Sequence, residues 1–279
     1  MIRLIATALI LLTPAAFADE PVELTFIANE GVIIRHGELA VAIDTPAWNS
    51  YDGTYAIPSP AMRQAMTHGG YPVGNLYALL FTHVHGDHFD AEGAVAIVRT
   101  NPGEPAIMAA DQVVDVFRDA GGDESDAIPL GLVSDGCVMG SENECQEYAT
   151  YEYFFLGIDL EARPRIDVDA RPLFHREGIE HWTYRVVIGG VSILHLGDTQ
   201  PQQADFSTWD GVQFDVILYP YWFQQMAQGQ AFLAAHPESR TIAFHIPANA
   251  SALQVQQALG ENEYLHTEGE TLILRESGE

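Results

Sequence analysis

Short apolar runs separated by polar turns dominate the hydrophobic pattern of the chain, which is typical of β-strands. The first runs are Glu23–Ile27, Gly31–Arg35 and Leu39–Ile43, and the last of these ends at Asp44. His36-Gly37 is placed to form the turn between the second and third runs. The pattern therefore predicts a β-rich start, with two of its strands joined by a tight turn.

A second hairpin of the same kind is predicted in the second half of the chain. Tyr184–Ile188 and Val191–Leu196 flank the Gly189-Gly190 turn. Asp198-Thr199 follows this hairpin, as Asp44-Thr45 follows the first. The repeated pattern indicates an internally duplicated architecture.

Between the two hairpins, the apolar run Asn75–Phe81 has the length of a buried strand. The sequence Thr-His-Val-His-Gly-Asp-His follows it directly, at residues 82–88. Asp90 suits the N-cap of a helix over Ala91–Thr100, which Asn101-Pro102-Gly103 is expected to end. We therefore expect a buried strand that delivers a histidine-rich loop.

Strands alternate with helices in the rest of the chain, which predicts the α/β class. Val216–Tyr219 and Thr241–Phe244 are predicted strands, and Gln224–Ala235 and Ser251–Leu259 are predicted helices. The acidic segment Gly121–Ile166 lacks clear periodicity, so we interpret it as an insertion.

The charge of the chain argues against a nucleic-acid substrate. Its 39 acidic and 12 basic residues give a formal net charge of −27, and every basic residue is an arginine. A surface this negative repels phosphate backbones. We therefore expect a small-molecule substrate, while the sequence leaves the oligomeric state open.

Residues 1–18 have the features of a secretory signal peptide. Arg3 precedes the apolar run Leu4–Leu12, and Ala16-Phe17-Ala18 forms a small-x-small cleavage site. The run is shorter than the roughly 20 residues that a membrane-spanning helix needs, so we expect cleavage and no stable membrane insertion. The mature protein, residues 19–279, is then expected in the periplasm or outside the cell.

The two cysteines, Cys137 and Cys145, lie in the acidic segment. Export to an oxidising compartment favours a short-loop disulfide between them, with free thiols or soft metal ligands as alternatives. Neither cysteine is close to the histidine-rich loop in sequence, so we place neither in the candidate site.

The histidine-rich loop offers metal ligands at a spacing that suits two neighbouring cations. Residues two apart in an extended loop project the same way, so His83 and His85 are placed to bind one ion. Asp87 and His88, one turn later, face a second. A polar surface cluster is the alternative, but so many ligand-type side chains directly after a buried strand would be costly without a metal.

One loop has too few ligands for two ions, so other strand ends must contribute. His175 follows the apolar segment Arg171–Phe174, Asp198 follows the second hairpin, and His245 follows Thr241–Phe244. Each signal is weak alone, because a single histidine after a strand is more often a core or surface residue. Strand ends are nevertheless where α/β proteins place their sites.

The order of these motifs resembles the metallo-β-lactamase superfamily. The resemblance spans Phe26 to about Leu274 and rests on residues 82–88, a later histidine, Gly197-Asp198-Thr199 and Phe244–Pro247. Within the superfamily, Ile193–Asp198 and Phe244–Pro247 look most like hydrolases related to ascorbate-phosphate lactonase and to N-acylphosphatidylethanolamine phospholipase D.

The resemblance implies a four-layer αββα sandwich with two zinc ions at one edge. Asp198 would bridge the ions, and Asp87 and Asp198 would act in catalysis by holding the attacking water in line. The implied metal ligands are His83, His85 and His175 for one ion, and Asp87, His88 and His245 for the other.

Three further residues have competing interpretations. His181 is an alternative to His175 as a ligand. His195 is predicted to face away from Asp198, which favours a buried core or supporting role over ligation. Asp44 either orients a ligand or simply ends a strand.

Hydrolysis is the reaction class that two adjacent cations favour, because they activate water and stabilise a developing oxyanion. An ester, lactone, amide or phosphodiester bond fits this chemistry. An iron-dependent oxidoreductase on the same fold and a non-catalytic metal-binding protein are the alternatives. Tyr219–Trp222, after a strand at the same edge, either lines the substrate pocket or packs in the core.

Overall fold

The computed structural model describes residues 20–130, 150–151 and 166–275. The predicted signal peptide and both cysteines lie outside the described residues. None of the helices that are described is long and apolar enough to cross a membrane.

Two mixed sheets form the centre of the fold, with strands numbered in chain order. The first sheet has seven described strands. In spatial order they are β14 (Thr271–Arg275), β1 (Val22–Ala28), β2 (Gly31–His36), β3 (Leu39–Ile43), β4 (Asn75–Phe81), β5 (Ala106–Ala110) and β6 (Ala127–Leu130).

The second sheet also has seven described strands. In spatial order they are β13 (Glu263–Tyr264), β12 (Arg240–Phe244), β11 (Val216–Pro220), β10 (Val191–His195), β9 (Trp182–Ile188), β8 (Ile166–Pro172) and β7 (Thr150–Tyr151).

Helices cover the outer face of each sheet. Three pack on the first sheet: α1 (Pro60–His68), α2 (Ala91–Thr100) and α3 (Asp111–Asp119). Two pack on the second: α4 (Ala227–Ala235) and α5 (Ala252–Leu259). The resulting order of layers confirms the predicted αββα sandwich.

The largest core lies between the two sheets. Leu24, Ile34 and Val41 of the first sheet share one buried cluster with Val186 and Ile193 of the second. Each side chain of this kind contributes about 1.5–3 kcal/mol when it is fully buried. The alternation of apolar residues along these strands therefore fixes which face of each sheet looks inward.

Strand direction decides where the polar strand ends meet. β1 and β3 both pair antiparallel with β2, and β4 and β5 run parallel to β3. The carboxyl ends of β1, β3, β4 and β5 therefore lie at one edge. In the second sheet β10, β11 and β12 are parallel, so their carboxyl ends also meet.

The two sheets repeat one strand-pairing pattern. In the first, the antiparallel pair β2–β3 is followed by parallel β4 and β5. In the second, the antiparallel pair β9–β10 is followed by parallel β11 and β12. This repetition agrees with the duplicated hairpin pattern of the sequence.

Several predicted elements have the observed bounds, and others need correction. β3, β4 and α2 begin and end as predicted, and Asp90 Oδ1 accepts a hydrogen bond from the Gly93 N–H at 2.7 Å. The helix predicted from Gln224 begins only at Ala227, because a 3-10 turn ends at Gln225 and Met226 is extended.

The interpretation of Gly121–Ile166 as one aperiodic insertion was also wrong at both ends. Ala127–Leu130 pairs with β5 as the edge strand β6, and Ile166 begins β8. Pro129 within β6 explains the weak strand signal, since proline is confined to edge strands.

Candidate metal centre

Strand ends from both sheets deliver the candidate ligands to one place. Glu30 follows β1, Asp44 follows β3, and the loop 82–88 follows β4. His175, Asp198 and His245 follow β8, β10 and β12 of the second sheet. The site therefore lies where the carboxyl-terminal edges of the two sheets face each other.

A compact turn sets the directions of the side chains in the histidine-rich loop. The His88 and Phe89 N–H groups both donate to the His85 carbonyl, at 3.0 and 2.9 Å. The Thr82 N–H donates to Asp44 Oδ1 at 2.7 Å, which ties the start of the loop to the end of β3. Within this loop, His83 and His85 belong to one group of neighbouring ligand atoms and His88 belongs to another.

We call His83, His85 and His175 the histidine-rich pocket. His83 Nε2 lies 2.7 Å from His85 Nδ1. Asp198 Oδ2 lies 3.9 Å from His83 Nε2 and 3.8 Å from His175 Nε2. One ligand atom from each of these four side chains lies within 4.8 Å of all the others, close enough to surround one ion.

We call Glu30, Asp87, His88 and His245 the carboxylate-rich pocket. His245 Nε2 lies 3.5 Å from Asp87 Oδ2 and 3.6 Å from Glu30 Oε1. His88 Nε2 lies 3.7 Å from Asp87 Oδ2. Ligand atoms of Glu30, His88, Asp198 and His245 again lie within 4.8 Å of one another.

Asp198 belongs to both pockets. Its Oδ2 faces the histidine-rich pocket and also lies 3.5 Å from His88 Nε2, while its Oδ1 lies 3.1 Å from His245 Nε2. A carboxylate with one oxygen on each side suits the bridging position that the resemblance implies for this residue.

The polar atoms of the site fit bound cations better than they fit one another. Several are buried and have no hydrogen-bond partner, which is uncommon in folded proteins. They are Glu30 Oε1 and Oε2, His88 Nε2, His175 Nε2, Asp198 Oδ1, and His245 Nδ1 and Nε2. Imidazole nitrogen and carboxylate oxygen are the ligand types that zinc accepts.

Burial governs the electrostatics of the histidine-rich pocket. It lowers the pKa of His83 well below its usual value, and the neighbouring His88 lowers it further. Burial also lowers the pKa values of His85 and His175. These three rings are therefore held in the neutral form that binds metals.

Charge governs the electrostatics of the carboxylate-rich pocket. Burial alone would lower the pKa of His88, but Glu30, Asp198 and Asp44 raise it well above its usual value. The pKa of His245 is raised against burial by Asp198 and Asp87.

The pKa values of two acids of the site, Glu30 and Asp198, are shifted in opposite directions. Burial, and then Asp198, raise the pKa of Glu30 well above its usual value, although His88 opposes this. The pKa of Asp198 is held well below its usual value because His245 and His88 outweigh burial. Two buried carboxylates this close are both charged only if positive charge lies between them.

Asp44 orients a candidate ligand, which was one of its two interpretations. Its Oδ2 lies 2.9 Å from His88 Nδ1 and accepts a hydrogen bond from Thr82 Oγ1 at 2.7 Å. A proton on His88 Nδ1 is donated to this carboxylate, which leaves Nε2 free for a metal.

His181, the alternative to His175, instead positions the backbone of Asp198. Its Nδ1 lies 3.0 Å from the Leu173 carbonyl, and its Nε2 accepts the Asp198 N–H at 3.0 Å. Burial lowers the pKa of His181 to about 3, so the ring stays neutral. Gly197 has a φ of +51°, and a Cβ there would lie 2.6 Å from His181 Nε2, so this turn needs glycine.

His195 is fully buried and contacts residues that lie next to the candidate ligands. Its Nε2 lies 3.1 Å from the Glu30 carbonyl, and its ring stacks on Phe244 with 4.8 Å between ring centroids. Its place in the core agrees with the interpretation of this residue as a supporting side chain.

Aromatic side chains form one wall of the site. The rings of Tyr55 and Trp222 lie 4.6 and 5.0 Å from that of His245. Tyr221 lines a cavity of about 250 Å³ together with Ile246 and others. Of the aromatic residues Tyr219–Trp222, Tyr219 lies within β11 and packs in the core, and Tyr221 packs against the same core. Only Trp222 has its ring beside that of His245.

The sequence analysis missed Glu30. This residue lies in the short connection between β1 and β2, where no metal-binding motif marks it. The available signal was topological: strands β1, β3 and β4 point the same way, so a residue after β1 shares an edge with Asp44 and His83.

Comparison of the chain with models of protein families and with curated protein sequences finds no match. Solved structures do match. A possible metal-dependent hydrolase from Veillonella parvula has a TM-score of 0.59 at 13% identity, over 91% of this chain and 99% of that chain. An isothiocyanate hydrolase from Delia radicum gut bacteria has a TM-score of 0.59 at 14% identity, over 90% and 98%.

A metallo-β-lactamase fold protein from Bacillus subtilis matches with a TM-score of 0.53 at 12% identity, over 91% of this chain and all of that chain (100%). The chain therefore has the metallo-β-lactamase fold, which confirms the fold that the motif order implied. Its structural neighbours include metal-dependent hydrolases, and at these identities the likeness concerns the fold.

Proposed function

We propose that this chain is a hydrolase that binds two zinc ions and cleaves an ester, lactone, amide or phosphodiester bond of a small molecule. One observation carries the proposal. Asp198 is shared by two adjacent groups of ligand-type side chains, and several buried nitrogen and oxygen atoms of these groups have no hydrogen-bond partner.

The proposed ligands divide between the two pockets. The histidine-rich pocket would hold one ion through its three imidazoles. Asp87, His88 and His245 would hold the other, and Asp198 would contribute to both. When bound, two adjacent divalent cations supply an acidified water as nucleophile and offset the charge that develops at the attacked centre.

The side chains of the chain itself would position the reactants. Asp198, which belongs to both pockets, and Asp87, beside His88 and His245, would accept hydrogen bonds from the attacking water, which fixes its direction. Tyr55 keeps its proton in this role, because burial and the charges of Asp87 and Asp198 raise its pKa to about 12. Its hydroxyl is then available as a hydrogen-bond donor to the substrate.

A cavity lined by Ile246, the residue after His245, supports a substrate that has an apolar part. The cavity beside Tyr221 and Ile246 is lined mainly by apolar residues, which suits the apolar part of such a molecule. The resemblance to lactonase-like and phospholipase D-like hydrolases makes lactones and phosphodiesters the first bonds to test.

Zinc is our choice of metal because the histidine-rich pocket offers three imidazoles and a carboxylate. The same ligands also accept iron, so an iron-dependent oxidoreductase is the alternative that metal analysis separates. We also propose export through the predicted signal peptide, which the mass of the mature protein from its native host tests.

The test combines metal content with turnover. We expect about two zinc ions per chain by mass spectrometry, and hydrolysis of at least one substrate in a panel of lactones, aryl esters and phosphodiesters. His85→Ala should lose turnover and keep its fold by circular dichroism. His68→Ala, at an exposed position in α1, is the control and should behave as wild type. Full activity in His85→Ala would overturn the proposal.

A further inference from the structure

We propose that Glu30 is a metal ligand of the carboxylate-rich pocket, and that it lets this pocket accept hard divalent ions such as Mn²⁺ more readily than the histidine-rich pocket. The inference rests on the proposed metal centre. It adds a residue outside the ligand set that the motif order implies, and it separates the chemistry of the two pockets.

The surroundings of Glu30 favour a positive charge next to its carboxylate. The side chain is fully buried, and neither carboxylate oxygen has a hydrogen-bond partner. Its ion-pair partners among the described residues are His88 and His245, and no arginine of the described chain pairs with it. A buried carboxylate left without positive charge costs several kcal/mol unless it takes up a proton, so a bound cation would stabilise the charged form of Glu30.

The position of Glu30 matches that of a ligand. Oε1 lies 3.6 Å from His245 Nε2, and atoms of Glu30, His88, Asp198 and His245 lie within 4.8 Å of one another. Ligand atoms held at about 2.0–2.2 Å from one ion are at most about 4.4 Å apart. The spread of 4.8 Å is close to this limit, so small side-chain movements would let all four hold a single ion.

The two pockets then differ in ligand type. The histidine-rich pocket presents three imidazoles and one oxygen of Asp198. The carboxylate-rich pocket presents two imidazoles together with the carboxylates of Glu30, Asp87 and Asp198. Carboxylates suit harder ions such as Mn²⁺, whereas imidazole suits zinc, so Glu30 shifts the second position toward hard ions.

The experiment follows Mn²⁺ binding in the full chain. Metal-free protein receives one equivalent of Zn²⁺ to fill the histidine-rich pocket and is then titrated with Mn²⁺. The electron paramagnetic resonance signal of free Mn²⁺ reports what remains unbound. The variants are Glu30→Gln and Glu38→Gln, the latter making the same chemical change at an exposed turn between β2 and β3.

We expect one Mn²⁺ per wild-type chain, the same for Glu38→Gln, and at least about tenfold weaker Mn²⁺ binding for Glu30→Gln. The first equivalent of Zn²⁺ should bind equally in all three proteins. If Glu30→Gln bound Mn²⁺ with wild-type affinity, the inference would be overturned. It would also be overturned if Glu30→Gln bound the first equivalent of Zn²⁺ as weakly as it binds Mn²⁺, relative to wild type.

A variant that keeps the charge covers the case in which Glu30→Gln does not fold. Glu30→Asp shortens the carboxylate by one methylene, and we expect it to bind Mn²⁺ at least about tenfold more weakly than wild type. Unchanged Mn²⁺ affinity in a folded Glu30→Asp would contradict a ligand at this position.

Failure of the proposed function gives a different result. A wild-type chain that binds neither Zn²⁺ nor Mn²⁺ would refute the metal centre itself. A wild-type chain that binds both ions, with Glu30→Gln identical to it, would refute the role of Glu30 alone.

Discussion

The histidine-rich pocket and the carboxylate-rich pocket share Asp198, but the pKa values of their histidines are shifted in opposite directions. In the first, burial dominates and lowers the pKa values of His83, His85 and His175. In the second, acidic neighbours dominate and raise the pKa values of His88 and His245. Both pockets contain histidine rings, so the charge around each ring makes the difference.

This contrast shows that a ligand motif does not determine the properties of a site. His83 and His88 come from one loop of the same strand end. Of these two rings, only His88 lies within ion-pair distance of Glu30 and Asp44, and this places the two rings in different electrostatic environments. The histidine-rich pocket is thus ready for a metal at neutral pH, whereas metals must displace protons from the other.

The largest expected effect comes from removing the shared carboxylate. Asp198→Asn keeps the shape and removes the negative charge that faces both pockets, so both ions should bind more weakly. We expect turnover to fall by at least about a thousandfold, since losing several kcal/mol of transition-state stabilisation has that effect. Metal content and kcat/KM measure it, and a variant that loses only one ion would show that Asp198 does not bridge.

The next effect is on pH dependence, and it separates the pockets directly. A histidine with a raised pKa binds a proton at higher pH, so protons compete with the metal there first. The ion of the carboxylate-rich pocket should leave first on acidification, by up to about tenfold in affinity per pH unit for each proton involved.

The ion of the histidine-rich pocket should stay to lower pH, because its rings have lowered pKa values. Metal content after dialysis at a series of pH values is the measurement. Simultaneous loss of both ions, or loss in the opposite order, would contradict the assignment of charge to the two pockets.

A smaller effect is expected when the orientation of His88 is disturbed. Asp44→Asn replaces one carboxylate oxygen by an amide N–H donor beside His88 Nδ1 or Thr82, so it destabilises the tautomer that leaves Nε2 free. Supporting residues of this kind change metal affinity by about 10- to 100-fold. The loss should be confined to the carboxylate-rich pocket.

Competition with a chromophoric chelator measures both affinities in the Asp44→Asn variant. Asp205→Asn is the control, since that exposed carboxylate also accepts a backbone N–H, from Ser207 at 3.0 Å, but lies outside both pockets. Equal weakening of the two pockets in Asp44→Asn would indicate general damage to the fold.

Much of the fold could be predicted from the sequence because the motif order resembles a known superfamily and because local patterns are clear. The strand Asn75–Phe81 and the helix Ala91–Thr100 have their predicted bounds, since one is a continuous apolar run and the other has a capping Asp90. The strand Ala106–Ala110 was not assigned, because its alanine-rich sequence has low β-propensity.

The helix Pro60–His68 was missed even though local signals mark it. Ser59 caps its start, Pro60 occupies its first turn, and Gly69 ends it in a left-handed conformation. Only Met62 and Met66 are buried along it, so the apolar periodicity that the sequence analysis relied on is weak.

The candidate site was predictable to the extent that its residues belong to motifs. The loop 82–88 and the positions of Asp198 and His245 follow from the order of strands and resemblance. Glu30 and the role of His181 depend on which strand ends meet in space, and this depends on sheet topology rather than on spacing.

The meeting of two sheets at the metal centre has a mechanical consequence. Glu30 and the loop 82–88 come from one half of the chain, whereas His175, Asp198 and His245 come from the other. An ion bound by residues of both halves would cross-link the two sheets, as a disulfide cross-links distant segments of a chain. Removal of the metal by a chelator should then weaken the packing of the two halves as well as stop turnover. Resistance to proteolysis should increase with the metal content of the protein.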